Sequence, residues 1–454
     1  DKIRFDTGGT ERVVIDSNGI TMSSGLINGV GIKYNITNFS NSLLISNDGG
    51  TGTLSSASNN TGLGHQAFNN LTSGDDNTAI GTNSMFANTT GSDNTGVGLS
   101  SLNANTTGNT NTAVGSGALT ANTTANSNVA IGADALNDNT TGDLNVAVGT
   151  FALDTNTTAS RNTAIGYAAM DANTTGAFNT AVGANVLDAN TTASNNTAIG
   201  FASLGNNTTG ENNTAVGNLA LNENTTATHN TAVGNAALEK NTIGVSNTAV
   251  GSLSLDANTT GSSNTGIGYG TLSAAQTAEN NTAVGRNAGL SVTSGAQNTL
   301  LGAYNGDAVT SGSNNTFVGY EAGGKLTTGT DNVAVGRAAL LDTTSGAGNV
   351  AVGTESLENN TADENVAVGK HALRANTSGA SNVGIGRDAL LSNTTASNNV
   401  AVGTNALKQT TTGYRNVAMG EQAMEDSTTG SFCVALGFRA LEASNENANV
   451  AIGY

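Results

Sequence analysis

The chain has 454 residues, of which 60 are Gly, none is Pro or Trp, 11% are charged and 4% are aromatic. It lacks the aromatic side chains that build an ordinary globular core of this length, and it also lacks the high charge and Pro content of a disordered chain. This composition favours a repeat or fibrous protein. The net charge of −18, with no run of like charge long enough to form a patch, argues against non-specific nucleic-acid binding, which needs a basic surface, so no nucleic-acid partner is expected.

Residues 1–59 contain short runs of strand-forming side chains. Ile3–Phe5 and Arg12–Ile15 are predicted strands, and Asp16–Ile20 contains Asn18-Gly19, a dipeptide typical of tight hairpin turns. We therefore expect an N-terminal β-hairpin region that acts as a shaft or connector.

No stretch of the chain approaches the roughly 20 apolar residues of a membrane span, so no membrane insertion is expected anywhere in residues 1–454.

A pentamer of the form Asn-[Thr/Val]-Ala-[Val/Ile]-Gly recurs throughout residues 60–454. It begins at Asn60, continues in steps of 17 to Asn349 and reaches Asn449 after six more recurrences, for 24 in all. We number each unit from this Asn, so that position 5 is Gly and position 9 is usually Leu. The period is too short for a two-helix repeat and too rich in Gly, Asn and Thr for a helix. We therefore predict an all-β fold, a parallel β-solenoid with one coil per unit.

Two positions of the pentamer have a predicted structural role. An Asn at position 1 can stack its amide on the Asn of the adjacent coils, which gives a hydrogen-bonded ladder. A Gly at position 5 suits a left-handed backbone or a close approach to the next coil. The ladder is assigned to Asn111, Asn128, Asn145, Asn162, Asn179 and Asn196, and the turn to Gly115, Gly132, Gly149 and Gly166.

Alternation along the strand puts positions 2 and 4 on one face and positions 3 and 5 on the other. Both faces are apolar or small, which is typical of a strand buried on both sides. A single thin coil can cover only one face, so we expect the other to meet further copies of the chain around a threefold axis. The predicted axis column contains Val114, Ile131, Val148, Ile165, Val182, Ile199, Val216, Val233 and Val250.

The repeated Asn-Thr-Ala-Val-Gly, followed by Ala-Leu, resembles the head repeats of trimeric autotransporter adhesins. Those heads are left-handed parallel β-rolls, and similar repeats occur in bacteriophage tail fibres. The resemblance covers residues 60–454 and implies a homotrimeric, extracellular fibre. Residues 11–20 resemble the short hairpins of phage tail-fibre shafts, which favours a virus fibre over a bacterial surface adhesin.

The coils of residues 281–331 depart from the repeat. Gly289, Gly306 and Gly323 stand where other units have Leu, and aromatic side chains appear nearby. One interpretation is a glycan- or receptor-binding patch, because aromatic rings stack well on ligands. The other, which we favour, is a core repacked around the lost Leu side chains. The candidate patch residues are Tyr304, Phe317 and Tyr320.

Other functional classes have weaker support in the sequence. His65, His229 and His371 are far apart, and no Ser or Cys nucleophile has a recognisable setting, so we predict no enzyme, no catalytic residue and no cofactor. Carboxylates such as Asp75, Asp76 and Asp154 are scattered, so no metal site is predicted. Regular Thr columns leave an ice-binding face as an alternative, and Asn-x-Thr sequons leave glycosylation open.

The sequence thus predicts a structural protein, a trimeric tail or virion fibre that acts as a rigid spacer and mediates attachment to a host surface. Its expected partners are two further copies of itself, a host cell-surface glycan or protein, and other virion or surface proteins at its termini. The expected location is extracellular, on the virion surface. The head of a bacterial trimeric adhesin, on the bacterial cell surface, is the first alternative, and an ice-binding or purely architectural extracellular filament is the second.

Overall fold

The structure is a computed structural model of the chain. It describes the backbone of five strands within residues 3–36, and it describes residues 37–46 and 51–454 with their side chains. The chain divides into two compact units, Asp1–Asn213 and Thr214–Tyr454.

The first six strands of the chain pair in antiparallel fashion within two groups, and the seventh pairs in parallel with the sixth. β1 pairs with β2 and β2 with β3, and a second group pairs β4 with β5 and β5 with β6. The predicted Asn18-Gly19 turn includes Asn18, which lies outside the described residues. The strands are β1 Ile3–Thr7, β2 Thr10–Asp16, β3 Gly19–Met22, β4 Leu26–Ile27, β5 Val30–Ile36, β6 Phe39–Ser46 and β7 Ala57–Ser58.

In the first unit, a parallel ladder of three-residue strands follows. Each strand covers positions 2–4 of a coil and pairs in register with the same positions of the next, as Val129 does with Val146. The ladder begins earlier than residue 60, because β6 also pairs in parallel with the strand of the first coil. The strands are β8 Thr61–Leu63, β9 Thr78–Ile80, β10 Thr95–Val97, β11 Thr112–Val114, β12 Val129–Ile131, β13 Val146–Val148, β14 Thr163–Ile165, β15 Thr180–Val182 and β16 Thr197–Ile199.

The second unit has the same construction over fifteen coils, including two of 16 residues. Its strands are β17 Thr214–Val216, β18 Thr231–Val233, β19 Thr248–Val250, β20 Thr265–Ile267, β21 Thr282–Val284, β22 Thr299–Leu301, β23 Thr316–Val318, β24 Val333–Val335, β25 Val350–Val352, β26 Val366–Val368, β27 Val383–Ile385, β28 Val400–Val402, β29 Val417–Met419, β30 Val434–Leu436 and β31 Val450–Ile452.

These ladders confirm the predicted fold class, an all-β parallel β-solenoid of about 24 coils with about 17 residues in each. Among the residues that the structure describes, no helix is present. Outside the strand, each coil consists mainly of turns, and residues at positions 7, 9 and 17 have a left-handed backbone. Ser100, Leu102 and Thr110 show this pattern, with φ of 56°, 51° and 61°. Each such non-Gly residue costs on the order of 1 kcal/mol or more, so packing and hydrogen bonds must hold the coil in this shape.

The interior of each coil is narrow. Position 3 of the strand is usually Ala, and position 8 is usually Ala or Ser. Both are buried, in most coils together with a large apolar side chain at position 9. In the coil that starts at Asn111, these residues are Ala113, Ala118 and Leu119, all fully buried. The inward Ala and outward Val of each strand follow from the alternation of side chains along a strand.

Candidate contact surfaces of the solenoid

A ladder of buried Asn side chains runs along each unit at position 1. The backbone N–H of Asn128 donates to Oδ1 of Asn111 at 3.0 Å, and its Nδ2 donates to the same oxygen at 3.2 Å and to the carbonyl of Gly142 at 2.9 Å. The backbone N–H of Asn145 in turn donates to Oδ1 of Asn128 at 2.8 Å. All six Asn assigned to the ladder are at most 1% exposed. These amides join successive coils, so their role is structural.

A second buried Asn column, at position 12, was missed by sequence reasoning. Nδ2 of Asn122 donates to Oδ1 of Asn105 at 2.8 Å and to the carbonyl of Ala125 at 3.3 Å. That carbonyl also accepts from Nδ2 of Asn111 at 2.8 Å, so one oxygen ties both Asn columns within a coil. The signal was present, because Asn recurs at position 12 in eight successive units from Asn88 to Asn207. In the sequence, each of these Asn residues begins an Asn-x-Thr sequon, which points to a surface position instead.

The Gly at position 5 meets both predicted requirements. The four assigned residues have φ between 136° and 148°, within the left-handed half of the map. A Cβ on Gly115 would also overlap the backbone carbonyl of Gly132 in the next coil. A side chain at this position would therefore strain the turn and separate the coils.

The predicted axis column lies on the outer surface of the single chain. Val114, Ile131 and Ile165 are 37%, 41% and 40% exposed, and Val148, Val182 and Val216 are half-buried. Parallel pairing places each of these residues beside its equivalent in the neighbouring coil of the same unit. The register links are Val114 to Ile131, Ile131 to Val148, Val148 to Ile165, Ile165 to Val182, Val182 to Ile199, Val216 to Val233 and Val233 to Val250. We call positions 2 and 4 of the strands the outer strand face.

The three candidate patch residues do not form one surface. Tyr320 is 48% exposed and Tyr304 is half-buried, with ring centroids 6.0 Å apart in an edge-to-face arrangement. Phe317 is fully buried, because it occupies the inward position 3 of its strand. It fills the space left by Gly323, where a Cβ would overlap the phenyl ring. Phe317 is therefore corrected from a ligand-patch residue to a core residue, as the repacked-core alternative predicts.

Three Asp residues form a column at position 10 of successive coils. Burial raises the pKa of Asp154 to about 6, and the carboxylates of Asp171, Asp138 and Asp134 add to the increase. Burial also raises the pKa of Asp171 and of Asp188. At neutral pH, the desolvation of these carboxylates and the repulsion between them therefore reduce the stability of the fold.

We expect Asp154→Asn to stabilise the first unit at about pH 7 by roughly 1 kcal/mol, after allowance for solvent screening. The pKa of Asp154 is raised from 3.8 to about 6 in the fold. The protonated carboxyl therefore contributes stability below about pH 4, and this contribution is lost as pH rises towards 6. Denaturant unfolding of both proteins between pH 3 and pH 8 measures the difference, which should vanish at the acid end. A constant difference at all pH values would contradict this prediction.

Other site chemistry is sparse in the described part of the chain. Residues 37–46 and 51–454 contain no group of three or more His, Cys, Asp or Glu arranged to hold a metal ion. Nor do the described residues include a helix of sufficient length and apolarity to cross a membrane. His371 lies between two carboxylates of adjacent coils, 3.2 Å from Glu355 and 3.0 Å from Asp388. These polar contacts with the two carboxylates account for the position of its side chain.

The fold and its ladders define the chain as a β-solenoid repeat protein. A scan against protein-family models finds no match to this chain, and a search of curated proteins finds no significant match either.

Proposed function

We propose that the chain is the structural part of a homotrimeric fibre, in which three copies pack side by side through their outer strand faces. The fibre is a tail or virion fibre that acts as a rigid spacer and carries surfaces for attachment to a host. It works outside the cell, on the virion surface. The N-terminal strands of residues 1–59 serve as its shaft or connector.

The observation that carries this proposal is the composition of the outer strand face. Position 2 is Thr or Val in every coil, and position 4 is Val, Ile, Leu or Met. Neither position has a charged side chain in any of the 24 coils. Many position 4 side chains are about 40% exposed in the single chain, as at Ile131. Monomeric proteins rarely expose contiguous apolar patches larger than a few hundred Å². An uncharged stripe of this regularity is therefore well suited to burial in an interface.

A further copy of the chain is the partner that fits this stripe best. Its side chains repeat at the coil spacing of about 4.8 Å, so only a surface with the same period can stay in register with it over many coils. A second identical stripe has that period, and no charge has to be desolvated when the two meet. Closed symmetry then buries the stripes of all copies around one axis.

The ladders supply the stiffness that a spacer needs. Each coil is joined to the next by strand hydrogen bonds and by the Asn column at position 1, and in most coils also by the Asn column at position 12, while few apolar side chains are involved. Outward side chains away from the strand are free to vary, so weak contacts with a host surface can be repeated along the fibre and add up to useful avidity.

The first alternative is the head of a bacterial trimeric adhesin, which would use the same assembly on a bacterial surface. An ice-binding filament is a separate alternative, favoured by the half-exposed Thr residues at position 2, such as Thr112. Val replaces Thr at this position from Val333 to Val450, over eight coils. A lattice-matching hydroxyl array is therefore interrupted over about a third of the solenoid.

Native mass measurement of the full chain tests the assembly, with an expected mass three times the 44.8 kDa of one chain. We expect Val216→Asp to shift the mass to that of the single chain, because trimer formation would bury three carboxylates at the axis at a cost of several kcal/mol. The Val216 side chain is half-buried in the single chain, so we expect the coils themselves to remain folded. Hydrogen exchange measures this.

Glu211→Lys is the matched control, since Glu211 is exposed and lies outside the outer strand face. This variant should keep the mass of the unmodified protein. A wild-type chain that is monomeric at micromolar concentration, or a Val216→Asp variant that still forms the oligomer, would refute the side-by-side assembly. Thermal hysteresis of such a monomer in freezing water would favour the ice-binding alternative instead.

A further inference from the structure

A surface groove of about 460 Å³ lies in the second unit, on the side of the coils that carries position 10. Four successive coils place Leu290, Asp307, Gly324 and Leu341 at this position. The two Leu side chains form the ends of the groove, and the shorter Asp and Gly lie between them. Three coil steps separate the ends, which gives a length of about 14 Å at the spacing of stacked strands.

Gly324 keeps the groove open. Its backbone does not adopt the left-handed conformation that would require Gly. A Cβ at this residue would lie 2.9 Å from Cδ1 of Leu341 and 3.7 Å from Oδ1 of Asp307. The missing side chain therefore leaves space between the Asp307 carboxylate and the Leu341 side chain. The backbone of the turn does not itself require Gly here.

The groove presents hydrogen-bond acceptors. Asp307 and Glu321 both line it, and Asp307 is half-buried. Burial raises the pKa of Asp307, and the charge of Glu321 adds to this increase, while hydrogen bonds from backbone N–H groups oppose it. Lys325 also lines the groove, but its Nζ is 2.6 Å from Oδ1 of Asp342. The carboxylates of Asp307 and Glu321 can therefore accept further hydrogen bonds from a ligand.

An aromatic rim adjoins these acceptors. Tyr320 directly precedes the lining residue Glu321 and is 48% exposed, and its interaction with the Glu321 carboxylate raises the pKa of the Tyr320 hydroxyl. Tyr304 packs edge-to-face against Tyr320, and the guanidinium carbon of Arg286 lies 5.7 Å from the centre of the Tyr304 ring. These contacts fix the orientation of both rings, so a ligand would meet a preorganised surface.

We propose that this groove binds a neutral oligosaccharide. Tyr320, supported by Tyr304, stacks against the apolar face of a sugar ring, and Asp307 and Glu321 accept hydrogen bonds from sugar hydroxyls. The length of the groove suits a short oligosaccharide better than a single ring. An anionic sugar is disfavoured, because its carboxylate would face two carboxylates. The inference rests on the proposed function, since it names the chemistry of one attachment site.

The test uses the full chain on an array of neutral and sialylated glycans, followed by saturation-transfer NMR with the neutral trisaccharides that bind. We expect neutral glycans to bind and sialylated ones to bind much more weakly. Gly324→Leu, which fills the groove with the side chain found at both ends of it, should abolish saturation transfer. Asp307→Asn should weaken binding about tenfold, because a charge-assisted hydrogen bond from a sugar hydroxyl becomes a weaker neutral one.

Asp171→Asn is the matched control, because Asp171 occupies position 10 of a coil in the first unit and should leave binding unchanged. The proposal is wrong if no neutral glycan binds, if sialylated glycans bind equally well, or if Gly324→Leu binds as the unmodified protein does. Native mass measured on the same samples separates the two proposals. A trimer that binds no glycan refutes only the groove, whereas a monomer that binds neutral glycans refutes only the fibre assembly.

Discussion

Replacement of Asn128 by Leu should locally unfold the solenoid. The variant loses the acceptor of the Asn145 N–H, at 2.8 Å, and both bonds donated by Nδ2 of Asn128, to Asn111 and Gly142. Each buried polar group left without a partner costs about 1–3 kcal/mol, so the total loss should reach roughly 3–6 kcal/mol. Leu matches the branching of Asn at Cγ but is larger, so overpacking of this buried site adds to the effect of the missing hydrogen bonds.

Hydrogen exchange detected by mass spectrometry measures the effect where it occurs. Because each coil contacts mainly its neighbours, protection should fall in the coils that begin at Asn111, Asn128 and Asn145 and recover further away. Asn206→Ala, at an exposed Asn of the same unit, is the control and should leave exchange unchanged. Equal protection in Asn128→Leu and the unmodified protein would show that the ladder contributes little to stability.

The strand of each coil and its pairing with the same positions of the adjacent coils could be predicted from the sequence alone. A period of 17 with Gly at position 5 in every unit leaves few alternatives to stacked coils, and the alternation of Ala113 with Val114 fixes which side chain points inward. Position 9 could also be assigned to the core, because a large apolar residue such as Leu119 recurs there among polar neighbours.

The remainder of the coil could not be predicted in the same way. Residues at positions 7, 9 and 17 adopt a left-handed backbone although they include Leu102 and Thr110, which local preference would place elsewhere. Tertiary hydrogen bonds between coils override that preference. The buried role of Asn122 was missed for a related reason, since Asn followed by Thr-Thr is typical of a surface turn. Only the stacked neighbours turn this amide into an interior group.

Phe317 shows a similar limit at the candidate site. Its sequence position predicts an inward side chain, while the nearby Tyr residues left a shared surface patch as the alternative. Gly323 explains the outcome, because a missing Leu at position 9 leaves room for a large side chain at position 3. The preceding coil uses the same exchange, with Leu300 at position 3 and Gly306 at position 9. In these two coils the large core side chain is thus kept while the position that contributes it changes.

This exchange predicts a rescue between two core positions. Phe317→Ala should destabilise the second unit by about 3–5 kcal/mol, because it leaves a cavity in a fully buried site. Gly323→Leu alone should cost about 1–3 kcal/mol through overlap with the phenyl ring. The double variant has Ala at position 3 and Leu at position 9, which is the combination that the next coil has in Ala334 and Leu340. It should therefore be more stable than Phe317→Ala alone, with a coupling of roughly 2 kcal/mol or more.

Denaturant unfolding and hydrogen exchange of the coils around Phe317 provide the measurement. The left-handed backbone at Gly323, with φ of 61°, is no obstacle to the rescue, because Leu340 holds the same position with φ of 54°. The matched control is Ala334→Gly combined with Gly323→Leu, which changes a neighbouring strand and keeps the overlap with Phe317. This control should show no rescue. If the destabilisations of Phe317→Ala and Gly323→Leu simply add in the double variant, the two side chains do not share one volume, and the repacked-core account of these coils is wrong.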